Sequence, residues 1–378
     1  MRSSRVLALL LFVFGAAASA ALNLRRWQGD RDLARRRREC SSLPPLPADG
    51  PLVSFLVAAW NEKDSLERHI RSVLDLTYPH FQYILAAGGK DGTYELAKRF
   101  EAPNVLVIEQ QPGEGKQAAL RRCLALAQGD VLFLTDADCL LSDASFAAAM
   151  GPIVRGEAQV VTGDCMPLPE QRHAVGLAAF RWAADAYRFA NIGADVGGIL
   201  GGNCALTRDA VHRAGDFAAD VRSGTDYHLA RALVRAGIPI RHTGESIVAT
   251  RYPDGLRDYA RRQRRWLRNL VLHGVAFGAK SDAAASLRTS FVGLGMLLAP
   301  IASLIAGPWL LALWAAAVFH SAASKLRYLA FTAEQFKADA PAVTAGAAVQ
   351  SVGLSLAEFG IWAWPLLDYL VPSRRTSW

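Results

Sequence analysis

One stretch of the sequence decides the fold: Val131-Leu132-Phe133-Leu134-Thr135-Asp136-Ala137-Asp138. Its run of apolar residues predicts a strand that is buried on both faces of a parallel sheet. Residues two apart in an extended chain point to the same side, so Asp136 and Asp138 are expected to face one point beyond the carboxyl end of that strand. Two carboxylates there suit Mg²⁺ or Mn²⁺ held together with substrate oxygens. The alternative is a solvated loop whose acids cap the next helix.

The composition indicates a soluble domain attached to membrane segments. The chain has 378 residues, 52% of them hydrophobic, and a mean hydropathy of +0.14, with the apolar excess at its two ends. The net charge of +8 includes arginine clusters at residues 25–38 and 257–268. Because both clusters lie near apolar segments, anionic lipid headgroups or phosphorylated substrates explain them better than nucleic acid does. The five cysteines lack metal-ligand spacing and are typical of reduced thiols in a cytosolic domain.

The N-terminal apolar segment, residues 6–24, is long enough to cross a bilayer as a helix. Ala18-Ser19-Ala20 within it also resembles the cleavage site of a secretory signal peptide. The basic residues after this segment greatly outnumber those before it, which places the following domain in the cytosol. We therefore expect a transmembrane anchor over residues 1–24, followed by a basic, proline-rich linker over residues 25–51.

Strand and helix patterns alternate over residues 52–250, which predicts one cytosolic α/β domain with a doubly wound, mostly parallel sheet. The expected strands are 52–58, 81–86, 105–108, 131–134, 160–163, 238–240 and 246–250, with one more after the glycine-rich turn at 197–205. The expected helices are 64–75, 93–100, 117–127 and 227–236.

The last part of the chain is expected to meet the membrane. Residues 257–273 predict a strongly basic helix at the membrane surface, within an interfacial region over 251–288. Residues 289–378 are expected to form a C-terminal transmembrane region. Its segments are an apolar hairpin over 290–306 and 309–323, an interfacial segment over 325–339 and a further span within 342–371. The last span contains Glu358, and an acid inside a span usually faces protein.

With these elements placed, the sequence resembles the membrane-bound family 2 glycosyltransferases, which include polysaccharide synthases, and ceramide glucosyltransferase of a related family. The stretches that carry the resemblance are Val57-Ala58-Ala59-Trp60-Asn61-Glu62, Asp136-Ala137-Asp138, Gly202-Asn203-Cys204-Ala205 followed by Thr225-Asp226, and Arg262-Gln263-Arg264-Arg265-Trp266. They are similar to the nucleotide-binding turn, the metal-binding DxD, the acceptor-side loop with the catalytic acid, and the (Q/R)xxRW signature. The resemblance implies a Rossmann-like GT-A domain that transfers sugar from a nucleotide donor with inversion.

The resemblance also implies roles for single residues. Asp136 and Asp138 would hold Mg²⁺ or Mn²⁺ on the donor diphosphate. Asp226 would accept the proton of the acceptor hydroxyl, and the alternative is that it caps the helix that follows. Arg262 and Arg265 would place positive charge at the departing diphosphate.

Further contacts are expected with both substrates. Trp266 would form an apolar wall at the acceptor opening and also border the donor, with Gly202 and Asn203 on the acceptor side. Glu62 belongs to the nucleotide-binding turn. Lys116 would either touch phosphate or simply begin its helix.

The sequence departs from the family pattern at two positions. Ala86-Ala87 stands where family members carry an aspartate pair that reads the base and ribose, and Asp91 is expected to take part of that task. Thr225 replaces the acid that usually precedes the base. A UDP-sugar donor is favoured with a GDP-sugar as the alternative, and the nucleotide stays open.

Three functions are compatible with these patterns. The leading hypothesis is an inverting, metal-dependent glycosyltransferase at the inner face of a bacterial-type inner or plasma membrane. Its acceptor would be a membrane lipid or a lipid-linked glycan, and nucleic acid is not an expected partner. The alternatives are a processive polysaccharide synthase subunit and a non-catalytic sugar-nucleotide-binding subunit of a larger synthase. Retention of Asp138, Asp226 and Arg265-Trp266 argues against the last. The sugar, the acceptor and the oligomeric state stay open.

Overall fold

The structure is a computed structural model that describes residues 2–39, 46–47, 49–193, 195–221 and 223–370. Residues 40–45 and 48 of the predicted linker, and 371–378 of the predicted membrane region, lie outside the described residues. The chain divides into two compact units. The sheet unit consists of Glu39–Leu168 and Phe189–Arg251, and the helical unit consists of Met1–Arg38, Pro169–Arg188 and Tyr252–Trp378.

The described residues form the following elements. The helices are α1 (Arg2–Glu39), α2 (Lys63–Leu74), α3 (Thr93–Lys98), α4 (Gly115–Leu126), α5 (Asp143–Val154), α6 (Leu177–Ala190), α7 (Arg208–Arg213), α8 (Thr225–Arg235), α9 (Leu256–Ala276), α10 (Lys280–Ala306), α11 (Pro308–Phe336), α12 (Ala345–Ala363) and α13 (Pro365–Leu370). The strands are β1 (Val53–Trp60), β2 (Phe81–Gly88), β3 (Val105–Glu109), β4 (Val131–Leu134), β5 (Val160–Pro167), β6 (Asp195–Val196), β7 (Cys204–Thr207) and β8 (Ile240–Thr250). Short 3-10 turns occupy Pro169–Gln171 and Lys337–Asp339.

The strands of the sheet unit form one mostly parallel sheet, as the sequence predicts. Their order across the sheet is β3-β2-β1-β4-β7-β5-β8-β6. β1 is parallel to β2 and β4, and β5 is parallel to β8, whereas β7 runs antiparallel to both of its neighbours. The carboxyl ends of β1, β2 and β4 therefore meet at one edge, which is where ligands bind in open α/β sheets.

Apolar residues from the two faces of the sheet form separate core clusters. On one face, the rings of Phe55, Phe133 and Phe146 lie within 5.6 Å of one another, centroid to centroid. On the other face, Leu56 and Leu132 belong to the second cluster and are completely buried. The apolar residues of β1 and β4 thus belong to the cores on both faces of the sheet. This confirms the prediction that the strand is buried on both faces.

Several predicted boundaries in the sheet unit are wrong. The expected strands over 238–240 and 246–250 form one strand, β8, whose pairing with β5 is irregular between Thr162 and Asp164. This irregularity accommodates the polar residues between the two expected strands. The sequence patterns also do not indicate α5, which is buried along most of its length and therefore lacks an amphipathic period. A capping box between Ser142 and Ser145 begins this helix.

The predicted end of the N-terminal helix is also wrong. α1 does not stop at residue 24 but continues to Glu39, through most of the expected linker. Its later half is held within the helical unit, since Arg327 Nη1 donates to the buried Asp30 carboxylate at 2.5 Å. Arg327 Nε also donates to Asn23 Oδ1 at 3.0 Å. These polar contacts extend the helix past the apolar segment on which the prediction was based.

The described part of the chain contains three helices that are long and apolar enough to cross a membrane. They cover Ser4–Arg38, Lys280–Ala306 and Pro308–Asp339. The hairpin turn at Gly307-Pro308 is confirmed, but its second helix is longer than predicted. Most of the segment expected to be interfacial, 325–339, continues α11, and its position at a membrane surface stays a prediction. The further span expected within 342–371 is not among the three; its described residues form α12 and α13.

We expect Phe55→Ala to lower the free energy of unfolding of the sheet unit by about 3–5 kcal/mol. The ring is completely buried between Phe133 and Phe146, so its removal leaves a cavity. Hydrogen exchange of β1 and β4 amides in the full-length protein in detergent measures the change. Leu126→Ala, at a side chain that is 42% exposed, is the control and should change stability by less than about 0.5 kcal/mol. Equal effects of the two variants would contradict the assigned core.

Candidate active site

The acid pair lies at the carboxyl end of β4, at the predicted edge of the sheet. Ligand atoms of Asp136, Asp138 and Cys139 all lie within 4.8 Å of one another. The Cys139 amide donates to the Asp136 carbonyl at 2.9 Å, which closes a tight turn around Ala137. The buried ring of His69 supports the turn, because its Nδ1 donates to the Cys139 carbonyl at 2.6 Å. Burial lowers the pKa of His69 to about 4, so this ring is neutral at physiological pH.

The donor atoms of this turn fit a hard divalent cation. Burial and the charges of Asp138 and Asp136 raise the pKa of the Cys139 thiol well above its ordinary value, so the sulfur stays protonated. The carboxylates of Asp136 and Asp138 are each partly exposed and can reach a bound ion. An oxygen donor set of this kind suits Mg²⁺ or Mn²⁺ and not a thiophilic metal.

Lys116 contacts the acid pair directly. It is the second residue of α4, and its Nζ forms an ion pair with Asp136 Oδ1. Burial lowers the pKa of Lys116, but the negative charges of Asp136 and Asp226 outweigh this and raise it above its ordinary value. The structure therefore places the ammonium group beside a carboxylate; whether it also touches phosphate stays a prediction.

A double-glycine turn brings Asp226 into the same site. A Cβ atom on Gly201 would lie 3.1 Å from Asp226 Cγ, and one on Gly202 would lie 3.3 Å from Asp136 Oδ2. The turn thus contacts the predicted base on one side and the acid pair on the other. Asp226 is not the N-cap of α8, because Gly224 occupies that position with a left-handed backbone at φ 76°. Asp226 instead lies in the first turn, where its negative charge is favoured by the helix dipole.

The structure does not support the predicted contact between Asn203 and the acceptor. Its side chain is completely buried, and its Nδ2 donates to the carbonyls of Asp164 and Ser246 at 3.1 and 3.0 Å. Its Oδ1 accepts from the Ser246 hydroxyl at 3.0 Å. With its amide fully used, Asn203 cannot contact an acceptor directly, and it holds the double-glycine turn in place. Direct contact with the acceptor thus remains a prediction for Gly202 and Trp266.

A second buried pair supports this framework. His242 Nε2 lies 2.5 Å from Asp164 Oδ1, and the two side chains are 5% and 9% exposed. The ring of Phe189 stacks on His242 at 6.0 Å. His242 is therefore a packing residue of the sheet unit. Its pairing with Asp164 cannot be predicted from neighbouring residues, because the two are 78 positions apart in the sequence.

Glu62 and Asp91 belong to the loops that follow β1 and β2. Burial, together with the charges of Asp138 and Asp136, raises the pKa of Glu62, and its Oε2 accepts from the Ser65 hydroxyl at 3.0 Å. Asp91 instead accepts from the Lys63 amide at 3.1 Å and from the Thr93 amide and hydroxyl at 3.0 and 2.6 Å. These hydrogen bonds allow Asp91 to stabilise the turn that follows β2. A contact between Asp91 and the nucleotide-sugar donor stays a prediction.

The residues of the RxxRW stretch lie on α9, in the helical unit. Arg262 Nε donates to Asp258 at 2.9 Å, Arg265 is exposed, and Trp266 is 47% exposed. The guanidinium of Arg188 lies 5.9 Å from the Trp266 ring centroid. The substrate contacts predicted for these residues stay predictions.

The helical unit also holds α9 through contacts that the sequence patterns do not reveal. Glu358 accepts from the Tyr259 hydroxyl at 2.6 Å and pairs with Lys325 at 2.7 Å. Arg264 forms an ion pair with the completely buried Asp368. Glu358 thus faces protein, as an acid in an apolar helix is expected to do.

Comparison with known proteins agrees with this geometry. Residues 54–214 match the family described as Glycosyl transferase family 2. Over this region, the chain is therefore similar to glycosyl transferase family 2. The matched residues include the turn at Glu62, the acid pair and the double-glycine turn, whereas Asp226 and α9 follow them.

Proteins similar to this chain include a glycolipid synthase and a polysaccharide synthase. The chain is 38% identical over 95 residues to beta-monoglucosyldiacylglycerol synthase of Trichormus variabilis, which is 23% of this chain and 20% of that protein. It is 31% identical over 91 residues to poly-beta-1,6-N-acetyl-D-glucosamine synthase of Staphylococcus aureus, which is 24% of this chain and 22% of that protein. The chain thus aligns with about a fifth of the length of these two relatives.

Among solved structures, the fold resembles that of the mannosyltransferase PcManGT from Pyrobaculum calidifontis, solved in complex with GDP-Man and Mn²⁺. The likeness covers 96% of this chain and 99% of that one, with a TM-score of 0.53 and 18% sequence identity. It confirms the predicted GT-A fold.

We expect Gly202→Ala to weaken Mn²⁺ binding and catalysis by about tenfold or more, because small displacements in a preorganised site are costly. The added methyl group would lie 2.7 Å from the buried Cys139 Sγ and 3.3 Å from Asp136 Oδ2, so the acid pair must shift. Gly198→Ala is the matched control, since nothing lies within 4 Å of its Cβ position. Mn²⁺ titration followed by electron paramagnetic resonance measures the effect. Unchanged affinity in Gly202→Ala would show that the turn does not shape the site.

Proposed function

We propose that the chain is an inverting, metal-dependent glycosyltransferase that moves sugar from a nucleotide donor to an acceptor at a membrane. The observation that carries this proposal is the convergence of Asp136, Asp138, Asp226 and Lys116 at one edge of the sheet. That edge offers carboxylates for a cation and a separate carboxylate for a proton, which are the two requirements of the reaction.

Asp226 is the proposed base. The acceptor hydroxyl oxygen forms a bond to the anomeric carbon, and the bond from that carbon to the diphosphate oxygen breaks. The hydroxyl proton moves to the Asp226 carboxylate, and the nucleoside diphosphate leaves with the electron pair. Because this is a single displacement, the configuration at the anomeric carbon inverts. The position of Asp226 in the first turn of α8, against Gly201, supports this role because it holds the carboxylate in one place.

Asp136 and Asp138 are the proposed ligands of Mg²⁺ or Mn²⁺. When bound, the ion would neutralise the charge that develops on the diphosphate. Glu62 and Asp91 are proposed to border the donor, and the effect of the Asp138 and Asp136 charges on the pKa of Glu62 supports its place near them. Arg262, Arg265 and Trp266 are proposed as donor contacts from α9, with Trp266 also bordering the acceptor, as the RxxRW resemblance implies.

The proposed acceptor is a membrane lipid or a lipid-linked glycan. Three apolar helices and the basic helix α9 support a site near headgroups. The glycolipid synthase among the relatives also supports it. The arginines that follow the first apolar segment support a cytosolic catalytic domain. A UDP-sugar is the favoured donor, and a GDP-sugar is the alternative.

The second candidate function is processive polysaccharide synthesis. It is favoured by the likeness to poly-beta-1,6-N-acetyl-D-glucosamine synthase. The length of the product distinguishes the two candidates. Purified protein with Mn²⁺, a panel of UDP- and GDP-sugars and membrane lipid extract should give a single added sugar if the first proposal holds. A ladder of products supports the second candidate, and nucleotide binding without turnover supports a non-catalytic subunit.

We expect Asp226→Asn to reduce turnover about 10²–10⁴-fold, because the amide cannot accept the proton. Binding of the nucleoside diphosphate with Mn²⁺ should stay within about threefold, since Asp226 is not one of the proposed metal ligands. Release of nucleoside diphosphate measures turnover, and calorimetry measures binding. Asp220→Asn, at an exposed loop position of the sheet unit, is the matched control. Full turnover in Asp226→Asn would remove Asp226 from the mechanism.

A further inference from the structure

Lys116 lies beside a group of carboxylates in the candidate active site. Glu62, Asp136, Asp138 and Asp226 supply negative charge to one edge of the sheet, where burial and the charges of Asp138 and Asp136 raise the pKa of Glu62. Within the sheet unit, Lys116 contacts this group by its ion pair with Asp136, and its charge also acts on Asp226. The same carboxylate, Asp136, is a proposed ligand of the divalent ion. A lysine ammonium and a divalent cation therefore compete for one partner.

The surroundings of Lys116 allow its side chain to move while its backbone stays in place. α4 is held by Gln117 Nε2, which donates to the Ala219 carbonyl at 3.1 Å, and by Arg122 Nη1, which donates to the Glu109 carbonyl at 2.9 Å. The side chain of Lys116 itself is 35% exposed, and that of Asp136 is 39% exposed. A lysine has a flexible four-carbon stem and a compact charge, which suits it to exchange one anion for another.

We propose that Lys116 is an internal counter-cation that neutralises Asp136 in the donor-free enzyme and transfers to the donor diphosphate when metal and donor bind. This inference rests on the proposed function, because it assigns the diphosphate as the second partner. The move leaves Asp136 to the divalent ion and keeps one positive charge on the phosphates. No covalent bond forms or breaks in this exchange.

According to the proposal, Lys116 weakens the binding of Mn²⁺ and strengthens the binding of the diphosphate. A structural role would not affect the two ligands in opposite directions. In the absence of nucleotide, Lys116 opposes the metal, so Lys116→Met should bind Mn²⁺ more tightly, by about fivefold. In the presence of Mn²⁺, Lys116 assists the diphosphate, so the same variant should bind UDP or GDP more weakly, by about tenfold. Lys116→Arg retains the charge and should not gain affinity for Mn²⁺.

The experiment uses full-length protein in detergent and requires no turnover. Electron paramagnetic resonance measures free Mn²⁺ in a titration without nucleotide. Calorimetry then measures UDP, GDP and inorganic pyrophosphate, each with saturating Mn²⁺. Lys98→Met is the matched control, since Lys98 also forms an exposed ion pair, at 2.5 Å from Glu101, and should leave both affinities unchanged. Thermal unfolding of each variant confirms that it is folded.

The outcomes separate the inference from the proposed function. Tighter Mn²⁺ binding and weaker diphosphate binding in Lys116→Met support both. Weakening of both ligands overturns the inference and assigns Lys116 a structural role, while leaving the glycosyltransferase proposal intact. Unchanged Mn²⁺ affinity also overturns it, since no competition exists. If the unaltered protein binds Mn²⁺ but none of the three diphosphates, the proposed function fails, and the Mn²⁺ titration still decides whether Lys116 competes with the metal.

Discussion

Repulsion among like charges at the carboxyl end of β4 is the constraint that shapes the sheet unit. Asp136 and Asp138 share a tight turn, and Asp226 contacts the other side of the double-glycine turn. Such a group is costly without positive charge, and Lys116 supplies it in this structure. The neutral His69 ring and the protonated Cys139 thiol support the turn without adding charge.

The framework that holds these charges is polar and buried. Asn203, Ser246 and the Asp164 carbonyl form a hydrogen-bonded group under the double-glycine turn, and the His242–Asp164 pair extends it. Buried polar groups are tolerated when their bonds are satisfied, and they define one conformation more sharply than apolar packing does. The backbone at Gly201 and Gly202 can therefore approach Asp226 and Asp136 closely and still be held at a fixed distance.

Local patterns predict the parts of this architecture that depend on neighbouring residues. The apolar run of β4, its aspartates and the amphipathic helices α2 and α8 follow from periodicity, and they are confirmed. α5 has no such signal because it is apolar on all sides, and the continuation of α1 depends on Arg327, which is 297 positions from Asp30. The Lys116–Asp136 ion pair and the burial of Asn203 likewise arise from contacts across the sheet unit, so residue type alone suggested other roles for them.

The contact between Asp30 and Arg327 has a consequence for biosynthesis. A ribosome releases α1 long before it reaches α11, so the aspartate of the first helix has no arginine during most of translation. An ionised carboxylate in a low-dielectric setting is unfavourable until its counter-ion arrives. The second half of α1 can therefore reach its final contacts within the helical unit only after Arg327 has been synthesised, although the Tyr187 hydroxyl, which donates to Asp30 Oδ1 at 3.2 Å, becomes available earlier.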